Sequence, residues 1–347
     1  MRRPAADAAL LQARLAAYAA AVDDFLARRL DALPGPPALA NMLRYHLGWV
    51  DERFQPAPHA GGKRIRPALC LLACEAAGGD WRAAVPSAAA VELVHNFSLI
   101  HDDIEDESPL RRHRPTVWSL WGVPLAINLG DALFAEAQLA VLAQEGPPAR
   151  TLAAAELLGQ ACRALCAGQH RDLAPAAALP SLDDYYAMIG GKTAALLAAA
   201  AELGGLAAAA PPAARAAYAA FGRELGLAFQ VQDDLLDVWG ASERRGKAAR
   251  EDVRTAKHSF PWAAAFDRAD PAQRAALAAL RARAPLDDAA VAEVVALFEQ
   301  LGVREEGERR VAAHHTAALD ALAAADPMEP GGGLLRALAE ALLGRDF

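Results

Sequence analysis

Apolar residues recur at helical spacing along almost the whole of the 347-residue chain, and only short glycine or proline clusters interrupt them. Hydrophobic residues make up 54% of the sequence but aromatic residues only 6%, so alanine, leucine and valine supply most of the apolar content and favour helix over strand. No long linker or change of composition divides the chain. The sequence therefore predicts an all-α helical bundle and a single domain over residues 1–347.

Charge and hydropathy exclude several classes of protein. The formal net charge of −8 argues against a general nucleic-acid binder. The longest alanine- and leucine-rich run, at residues 194–212, is broken by Glu202 and by glycine and proline pairs, so we expect no transmembrane segment. The first 33 residues contain Asp7, Asp23 and Asp24 and lack the apolar core of a signal peptide. We therefore expect a cytoplasmic protein.

The four cysteines form two Cys-x-x-x-Cys pairs, Cys70/Cys74 and Cys162/Cys166, in alanine- and leucine-rich stretches. On a helix this spacing places both sulfurs on one face. Because no histidine follows at a ligand spacing, we expect small buried core residues rather than a metal site or a disulfide.

Two aspartate clusters carry the strongest functional signal, and they are Asp102-Asp103-x-x-Asp106 and Asp233-Asp234-x-x-Asp237. In each cluster the first and third aspartates are four residues apart, so on a helix their carboxylates lie on one face. Such like-charge pairs destabilise a helix by about a few tenths of a kcal/mol and are usually tolerated with a cation. One cluster alone could be a solvated helix face. Both clusters, however, follow apolar helical stretches, as the mouth of a cavity requires.

Magnesium bound to a diphosphate suits these clusters. Mg²⁺ typically takes one or two protein carboxylates and completes its shell with water and substrate phosphate. Basic residues near the clusters supply the remaining charge, namely Lys63, Arg64, Arg66, Arg111, Arg112, Lys192, Lys247 and Lys257. Gly61-Gly62 lets the backbone approach an anion, and Pro67 is expected at the first position of the following helix. Residues 107–121 and 240–258, which follow the clusters, do not have a helical pattern.

In combination these motifs resemble the trans-type polyprenyl (isoprenyl) diphosphate synthases. They stand in the family's order, as Gly61-Gly62-Lys63-Arg64-Ile65-Arg66-Pro67, the cluster at Asp102, Arg111-Arg112, Gly130-Asp131, Gly168-Gln169, Lys192-Thr193 and Phe229-Gln230-x-x-Asp233-Asp234. The resemblance spans most of the chain. It implies the isoprenoid-synthase helical bundle around a deep central cavity, a homodimer, and three Mg²⁺ ions per active site.

The resemblance also assigns roles. Isopentenyl diphosphate is expected on Lys63, Arg66, His95 and Arg112. The allylic diphosphate, which is dimethylallyl, geranyl or farnesyl diphosphate, is expected on Arg111, Lys192, Thr193, Gln230, Lys247 and Lys257. Asp102, Asp106 and Asp233 are the expected metal ligands, supported by Asp103, Asp234 and Asp237. These six aspartates, with Lys192 and Arg111, form the predicted catalytic group. Without the resemblance, His95 would be interpreted as a core histidine.

Four positions depart from the family pattern. His113 replaces a glycine after the arginine pair, Trp118 replaces a histidine, Ser259 replaces a threonine, and the glycine ahead of Asp252 is missing. None of these positions is a predicted metal ligand. The changes bear on Lys257 and on the choice of substrate.

Product length is predicted from the residues just before the first cluster. Phe97 lies five residues before Asp102, about 7.5 Å along a helix, where its ring could form the floor of the cavity. Ser98 leaves space, and the cluster lacks the two-residue insertion of many bacterial farnesyl diphosphate synthases. We expect a geranylgeranyl (C20) product, with farnesyl (C15) as the alternative. Plain core packing explains Phe97 equally well.

Two further aspartate positions carry weaker predictions. Asp172 is expected to support the site from behind its ligands, and Asp183-Asp184 follow Ser181 at a predicted helix start, where they cap the helix. Terpene cyclases and head-to-head condensing enzymes share parts of the pattern but lack the Gly-Gly-Lys turn. A non-catalytic subunit of a heteromeric synthase is a further alternative, because Cys-x-x-x-Cys pairs can mediate subunit pairing, although such subunits typically lose an aspartate cluster.

Overall fold

The computed structural model describes residues 4–57, 62, 64–173, 180–240 and 250–344, with side chains from residue 8 onward. Helices dominate these residues, which confirms the all-α prediction. In chain order the elements are α1 (Pro4–Asp31), α2 (Pro37–His46), α3 (Ile65–Ala76), α4 (Val85–Glu105), β1 (Leu110–Arg111), β2 (Arg114–Pro115), α5 (Val117–Trp121), α6 (Val123–Leu142), α7 (Pro148–Leu173), α8 (Leu182–Ile189), α9 (Ala195–Ala207), α10 (Pro212–Trp239), α11 (Glu251–Arg254), α12 (Phe260–Arg268), α13 (Pro271–Arg281), α14 (Asp288–Gln300), α15 (Val303–Ala324) and α16 (Gly331–Leu343). A 3₁₀ turn at Trp81–Ala84 precedes α4, and a π-helical turn at Gly190–Ala194 joins α8 to α9.

Helix starts follow the local sequence. Ser181 caps α8 by accepting the backbone N–H of Asp184 at 3.0 Å, so the predicted capping role of this segment agrees with the structure. The predicted start of α3 is wrong by two residues, because the helix begins at Ile65 and Pro67 takes its third position. Proline is tolerated there since the N–H groups of a first turn have no partner within the helix.

The chain contacts divide into two compact units. The first contains Met1–Cys162, Leu196–Gly222 and Leu322–Leu338, and the second contains Arg163–Ala195, Arg223–Ala321 and Ala339–Phe347. The first aspartate cluster belongs to the first unit and the second cluster to the second unit. The expectation of a single domain over residues 1–347 stays a prediction.

In the first unit, α4 is the central helix and packs on α1, α3 and α6. Helix α3 is nearly fully buried, and Cys70 and Cys74 on it are core residues, as predicted. A β-carbon built on Gly204 of α9 would lie 2.1 Å from the carbonyl oxygen of Cys70, so only glycine permits this close approach of α9 to α3.

In the second unit, helices α8, α10, α12 and α14 bury a core around Tyr185, Phe260 and Trp262. The rings of Trp262 and Phe298 meet edge to face with centroids 5.4 Å apart. This core holds the segment of α10 that carries the second aspartate cluster. The burial prediction is confirmed for Cys162 but wrong for Cys166, which is exposed because the buried face of α7 continues through Leu165 and Gly168 and leaves Cys166 at its edge.

Within the part of the chain that the structure describes, two helical runs are long and apolar enough to cross a membrane by length and composition alone, Trp81–Glu105 and Val123–Leu142. The first is 72% buried within the protein, as expected of a core helix, and the second is 44% buried. Neither of these two runs is the alanine- and leucine-rich stretch at residues 194–212 that was considered from the sequence. The expected absence of a transmembrane segment stays a prediction.

The two segments that follow the clusters contain little helix. Residues 107–121 form the β1–β2 hairpin and the short helix α5. Of residues 240–258, the stretch 241–249 lies outside the described residues, and the four-residue helix α11 follows it.

Candidate active site

The first aspartate cluster occupies the last turn of α4, where the helix carries partial negative charge. The backbone N–H of Asp106 ends the helix by donating to the carbonyl of Asp102 at 2.9 Å. Asp103 is buried, Asp102 half-buried and Asp106 exposed, and the last turn of α4, which is described in full, contains no basic residue. Three acids at this end of a helix are unfavourable unless a cation lies against them.

Arg111 supplies part of that positive charge. Its Nε donates to Oδ1 of Asp103 at 2.7 Å, and its Nη2 lies 3.4 Å from Oδ2 of Asp102. The buried Asp103 is therefore held by a charge-assisted hydrogen bond. Arg111, predicted to contact the allylic diphosphate, lies beside the predicted metal ligand Asp102.

The β1–β2 hairpin presents the arginine pair. Arg111 pairs with Arg114 across the two strands, so the loop consists only of Arg112 and His113. Both loop residues have positive φ, 50° and 62°, as in the type I′ turn that favours asparagine and glycine. The departure from glycine at His113 thus places a side chain where the backbone is left-handed, at a cost of about 1–2 kcal/mol.

Three of the four residues predicted for isopentenyl diphosphate lie together. Nη1 of Arg66 is 3.3 Å from Nε2 of His95. A β-carbon on Gly62 would lie 2.8 Å from Nη2 of Arg112, so the backbone of the glycine turn adjoins that guanidinium. The fourth residue, Lys63, lies outside the described residues.

The electrostatics of this pocket favour an anion. Burial, and after it the charges of Arg66 and Arg112, hold the pKa of His95 well below its usual range, so the imidazole is neutral. Nε of Arg66 is buried and has no hydrogen-bond partner. A diphosphate placed here would neutralise the guanidinium groups and satisfy such a donor.

Arg64, which belongs to the same basic turn, points elsewhere. It is buried, and its Nη1 lies 2.5 Å from Oε1 of Glu92 while its Nη2 lies 2.9 Å from Asp23. Glu92 also accepts from the amide of Asn96 at 2.8 Å. This network ties the start of α3 to α1 and α4, so Arg64 is an internal anchor of the turn.

His46, the last residue of α2, also lies at this site, and no sequence motif predicted it. Burial, followed by the charges of Arg111 and Arg112, lowers its pKa to about 3. Its Nε2 is buried without a partner, and it lines a small cavity together with Asp103 and Arg111. No sequence signal identified it, because more than fifty residues separate it from the cluster.

Phe97 lies on α4 five residues before Asp102, as predicted, and is 7% exposed. Its ring meets Phe134 of α6 edge to face at 5.4 Å and His101 at 5.9 Å. The hydroxyl of Ser98 donates to the carbonyl of His95 at 2.8 Å. Phe134, itself 40% exposed, is a contact that the sequence did not predict.

In the second cluster only Asp234 is buried, while Asp233 is exposed and Asp237 half-buried. Asp234 accepts hydrogen bonds from the Tyr185 hydroxyl at 2.7 Å, the Phe260 N–H at 2.8 Å and the Gln230 amide at 2.8 Å. Burial, and after it the charge of Asp252, raise the pKa of Asp234 to about 7 in spite of these donors. Asp234 therefore orients neighbouring side chains rather than facing a ligand.

Asp237 organises the segment after the cluster. One of its oxygens accepts the backbone N–H of Asp252 at 3.1 Å, which caps α11. The backbone N–H of Lys257 then donates to the carbonyl of Asp252 at 2.9 Å. Arg250, which precedes α11 where the family glycine is missing, is left-handed with φ 61°. Lys247 lies outside the described residues.

The π-helical turn at Gly190–Ala194 carries Lys192 and Thr193. A β-carbon on Gly168 would lie 2.1 Å from the backbone nitrogen of Lys192, so this glycine lets the turn pack directly on α7. Thr193 donates to the side-chain oxygen of Gln230 at 2.8 Å. Through Gln230, Thr193 is therefore linked to the buried Asp234.

Asp172 lies between two of the predicted lysines. Its Oδ2 is 2.6 Å from Nζ of Lys192 and 3.8 Å from Nζ of Lys257, and its Oδ1 is buried without a partner. This position agrees with the expected supporting role. In each unit the described site residues thus lie together. That the two clusters form a single metal site stays a prediction.

Comparison with known proteins fits this geometry. The family model of the polyprenyl synthetases matches residues 48–298. A geranylgeranyl diphosphate synthase of Mycobacterium tuberculosis is 40% identical over 298 residues, which are 86% of this chain and 84% of that protein. A (2E,6E)-farnesyl diphosphate synthase of the same organism is 42% identical over 237 residues, 68% of this chain, and the match spans only 64% of that relative.

Solved structures are similar over nearly the whole chain. A polyprenyl synthetase from Streptomyces coelicolor superimposes with a TM-score of 0.88 at 36% identity, covering 96% of this chain and 99% of that one. A polyprenyl synthase from Caulobacter crescentus, solved with calcium and isoprenyl diphosphate, has a TM-score of 0.81 at 30% identity and covers 99% and 98% of the two chains. The helical fold, the ordered motifs and these matches together establish that the chain belongs to the polyprenyl synthetase family.

Proposed function

We propose that this protein is a prenyltransferase that condenses isopentenyl diphosphate with an allylic diphosphate and releases diphosphate. In the reaction, the allylic carbon–oxygen bond breaks and the diphosphate leaves with the electron pair. The double bond of isopentenyl diphosphate then forms a new bond to the allylic carbon, and loss of a proton from isopentenyl diphosphate restores an allylic double bond. The product is an all-trans prenyl diphosphate longer by five carbons.

One observation carries the proposal. Each aspartate cluster pairs a buried, anchored carboxylate with two more accessible ones, and a separate pocket of Arg66, His95 and Arg112 collects positive charge. Two metal-binding clusters suit the leaving diphosphate, and a separate cationic pocket suits the diphosphate of a second substrate. A terpene cyclase has no use for that second pocket.

We further propose that Mg²⁺ is the resident metal, with three ions per active site. Asp102, Asp106 and Asp233 would hold them, and the acid-rich end of α4 supports this assignment because carboxylates at a helix C-terminus favour a bound cation. The related Caulobacter crescentus enzyme was solved with calcium, another divalent cation that prefers oxygen ligands. When bound, the ions stabilise the negative charge of the departing diphosphate.

The remaining steps rest on side chains. Lys192, Lys257 and Arg111 supply fixed positive charge to the allylic diphosphate, while Thr193 and Gln230 orient it through hydrogen bonds. Arg66, Arg112 and neutral His95 hold isopentenyl diphosphate so that its double bond is close to the allylic carbon. By family resemblance, the released diphosphate takes the proton.

Incubating the purified protein with Mg²⁺, labelled isopentenyl diphosphate and, in turn, dimethylallyl, geranyl and farnesyl diphosphate tests the proposal. We expect elongation and a product whose length is read by chromatography. If none of the three primers is elongated, the proposed function is wrong, and the alternative of a non-catalytic subunit is favoured.

For the product we propose geranylgeranyl diphosphate. Support comes from Phe97, which lies about 7.5 Å along α4 from Asp102, and from the 40% identical relative named as a geranylgeranyl diphosphate synthase. The 42% identical relative named as a farnesyl diphosphate synthase keeps farnesyl diphosphate as the second candidate.

The floor assignment has its own test. Because the ring of Phe97 packs on Phe134, we expect Phe97→Ala to lengthen the main product by at least one five-carbon unit and Phe134→Ala to broaden the product distribution. Leu129→Ala, a buried position on α6, is the matched control and should lower stability without changing product length. An unchanged product from Phe97→Ala would mean that Phe97 is only a core residue.

We also propose a cytoplasmic homodimer formed through α6. Exposed apolar side chains cover this helix, namely Val123, Leu125, Ile127, Phe134, Leu139 and Leu142, and a second copy of the same face would bury them. The apolar run Trp81–Glu105 is mostly buried, so its apolar composition is that of a core helix. The proposed dimer explains the exposed apolar side chains of α6. We expect Leu139→Glu to shift the protein to a monomer in sedimentation velocity, whereas a monomeric wild type would contradict the dimer.

A further inference from the structure

Arg114 makes an unusual set of contacts beside the proposed diphosphate pocket. Its Nη2 donates to the carbonyl of Val50 at 2.7 Å and its Nη1 to the carbonyl of Tyr45 at 3.3 Å. Its guanidinium also lies 4.2 Å from the centroid of the Tyr45 ring. Arg114 is half-buried, and none of these contacts involves a carboxylate. Its charge is therefore used to hold backbone carbonyls and an aromatic ring.

These contacts connect two loops. Arg114 lies on β2, directly across from Arg111 and next to the left-handed turn of Arg112 and His113. Val50 belongs to a small loop in which Val50 bridges to Pro56 and the N–H of Ala57 donates to the carbonyl of Trp49 at 3.0 Å. In the chain this loop leads into the glycine turn at Gly62.

Tyr45 strengthens the connection from the other side. Its hydroxyl donates to the carbonyl of Pro115 at 2.8 Å, so tyrosine and arginine hold the same strand from two directions. Trp121, at the end of α5, packs edge to face on Tyr45 at 5.1 Å and stacks on Phe54 at 5.9 Å. Tyr45 is 2% exposed, so this contact is fixed by packing and not only by hydrogen bonds.

The turn needs such support. Two consecutive residues other than glycine in left-handed conformation are strained, and strain of this kind persists only where the surroundings fix the backbone. The hairpin has only two residue pairs, too few to hold a strained loop in one conformation without help. Arg114 and Tyr45 provide that help at the strand that leaves the turn.

We propose that Arg114 is a positioning residue for isopentenyl diphosphate, which it does not touch. It fixes the hairpin that presents Arg112, whose guanidinium lies against Gly62, so this side of the diphosphate pocket keeps its position. This inference rests on the proposed function, because that function identifies the pocket's ligand. Holding the pocket in its binding geometry lowers the cost of ordering it when substrate arrives.

The test compares Arg114→Met with Arg44→Met. Arg44 is the matched control, because it is a partly exposed arginine next to Tyr45 that bonds Asp31 at 2.6 Å and Asn41 at 2.9 Å but does not touch the hairpin. Binding of isopentenyl diphosphate is measured by titration calorimetry without allylic substrate. We expect Arg114→Met to weaken binding about tenfold, equivalent to about 1.4 kcal/mol, and Arg44→Met to leave it unchanged.

Two further variants separate positioning from stability. Arg114→Lys keeps the charge but has no planar fork for two carbonyls, so it should recover only part of the affinity. Tyr45→Phe removes only the bond to Pro115 and should weaken binding by about two- to fivefold with little loss of stability. In turnover with an allylic primer, each loss should appear in the KM for isopentenyl diphosphate, while kcat changes much less.

Distinct results overturn distinct claims. If Arg114→Met and Arg44→Met lower the melting temperature equally and neither changes the affinity, Arg114 is only structural and the inference is wrong. If wild type elongates no primer yet binds isopentenyl diphosphate, and Arg114→Met weakens that binding, the proposed reaction is wrong and the positioning role stands. If wild type does not bind isopentenyl diphosphate, both are wrong.

Discussion

The two aspartate clusters have the same pattern of burial but are held in different ways. In both, the second aspartate is buried, as Asp103 and Asp234, and the first and third are more accessible. Asp103 is held by a charged partner, Arg111, which comes from a two-stranded hairpin. Asp234 is held by three neutral donors that come from the helical core of its unit.

The difference affects how each cluster depends on its surroundings. Asp103 pairs with the charged guanidinium of Arg111, whereas burial together with Asp252 raises the pKa of Asp234 to about 7. The geometry of the first cluster thus depends in part on Arg111 and on the conformation of the loop that presents it. The second cluster depends on packing around Tyr185 and Phe260, which is distributed over many contacts.

The largest expected effect removes one accessible carboxylate from either cluster. Asp102→Ala and Asp233→Ala should each lower kcat by roughly 10³-fold or more, because each removes a proposed ligand of the metal ions that would stabilise the leaving group. Asp183→Ala, which replaces an exposed aspartate at the start of α8, is the control and should retain activity. Wild-type turnover in either cluster variant would contradict the metal assignment.

A smaller effect separates the clusters by stability. Arg111→Met removes a charged partner of the buried Asp103, so the free energy of unfolding without metal should fall by about 2–3 kcal/mol. Chemical denaturation in the presence of a chelator measures this change. A loss below 1 kcal/mol would show that Asp103 does not depend on Arg111.

The matched change in the second cluster is Tyr185→Phe. It removes one of three neutral donors to Asp234, so we expect a loss of about 1–2 kcal/mol under the same conditions. The comparison fails if this variant loses more stability than Arg111→Met. In that case the core-anchored cluster, and not the ion-paired one, would be the more sensitive.

The smallest expected effect concerns the left-handed residues that follow the clusters. His113→Gly should raise the free energy of unfolding by about 0.5–1 kcal/mol, because glycine adopts positive φ without the penalty of a β-carbon. Arg250→Gly should raise the free energy of unfolding by less, because it also removes the 3.4 Å hydrogen bond from Nε of Arg250 to the carbonyl of Val238. Destabilisation by His113→Gly would mean that its side chain contributes contacts that outweigh the strain.

Local sequence was sufficient to predict part of this site. The four-residue spacing of Asp102 and Asp106 and the start of α3 near Pro67 are local signals. The structure places the two aspartates one turn apart at the end of α4, and α3 begins two residues before the expected start. The cap at Ser181 was predictable for the same reason. Helical periodicity over nearly the whole chain gave the fold class.

The anchoring contacts could not be predicted in this way. Tyr185 bonds Asp234 across 49 positions, and Arg114 bonds Tyr45 across 69, so no local pattern connects the partners. Cys162 is buried but Cys166, one turn later on the same helix, is exposed, so the prediction that both are buried was wrong for Cys166. Lys63 and Lys247 lie outside the described residues, and their predicted contacts stay predictions.

The π-helical turn at Gly190–Ala194 has a consequence for the spacing of the chain. A π turn contains one residue more than an α turn, so the helix beyond it is rotated by about 100° relative to an uninterrupted α-helix. Deleting one residue here would leave α8 and α9 intact as helices but rotate Thr193 away from Gln230. This one extra residue thus determines whether Thr193 faces Gln230. A homologue of the same fold that lacks the π turn would need another way to present this threonine.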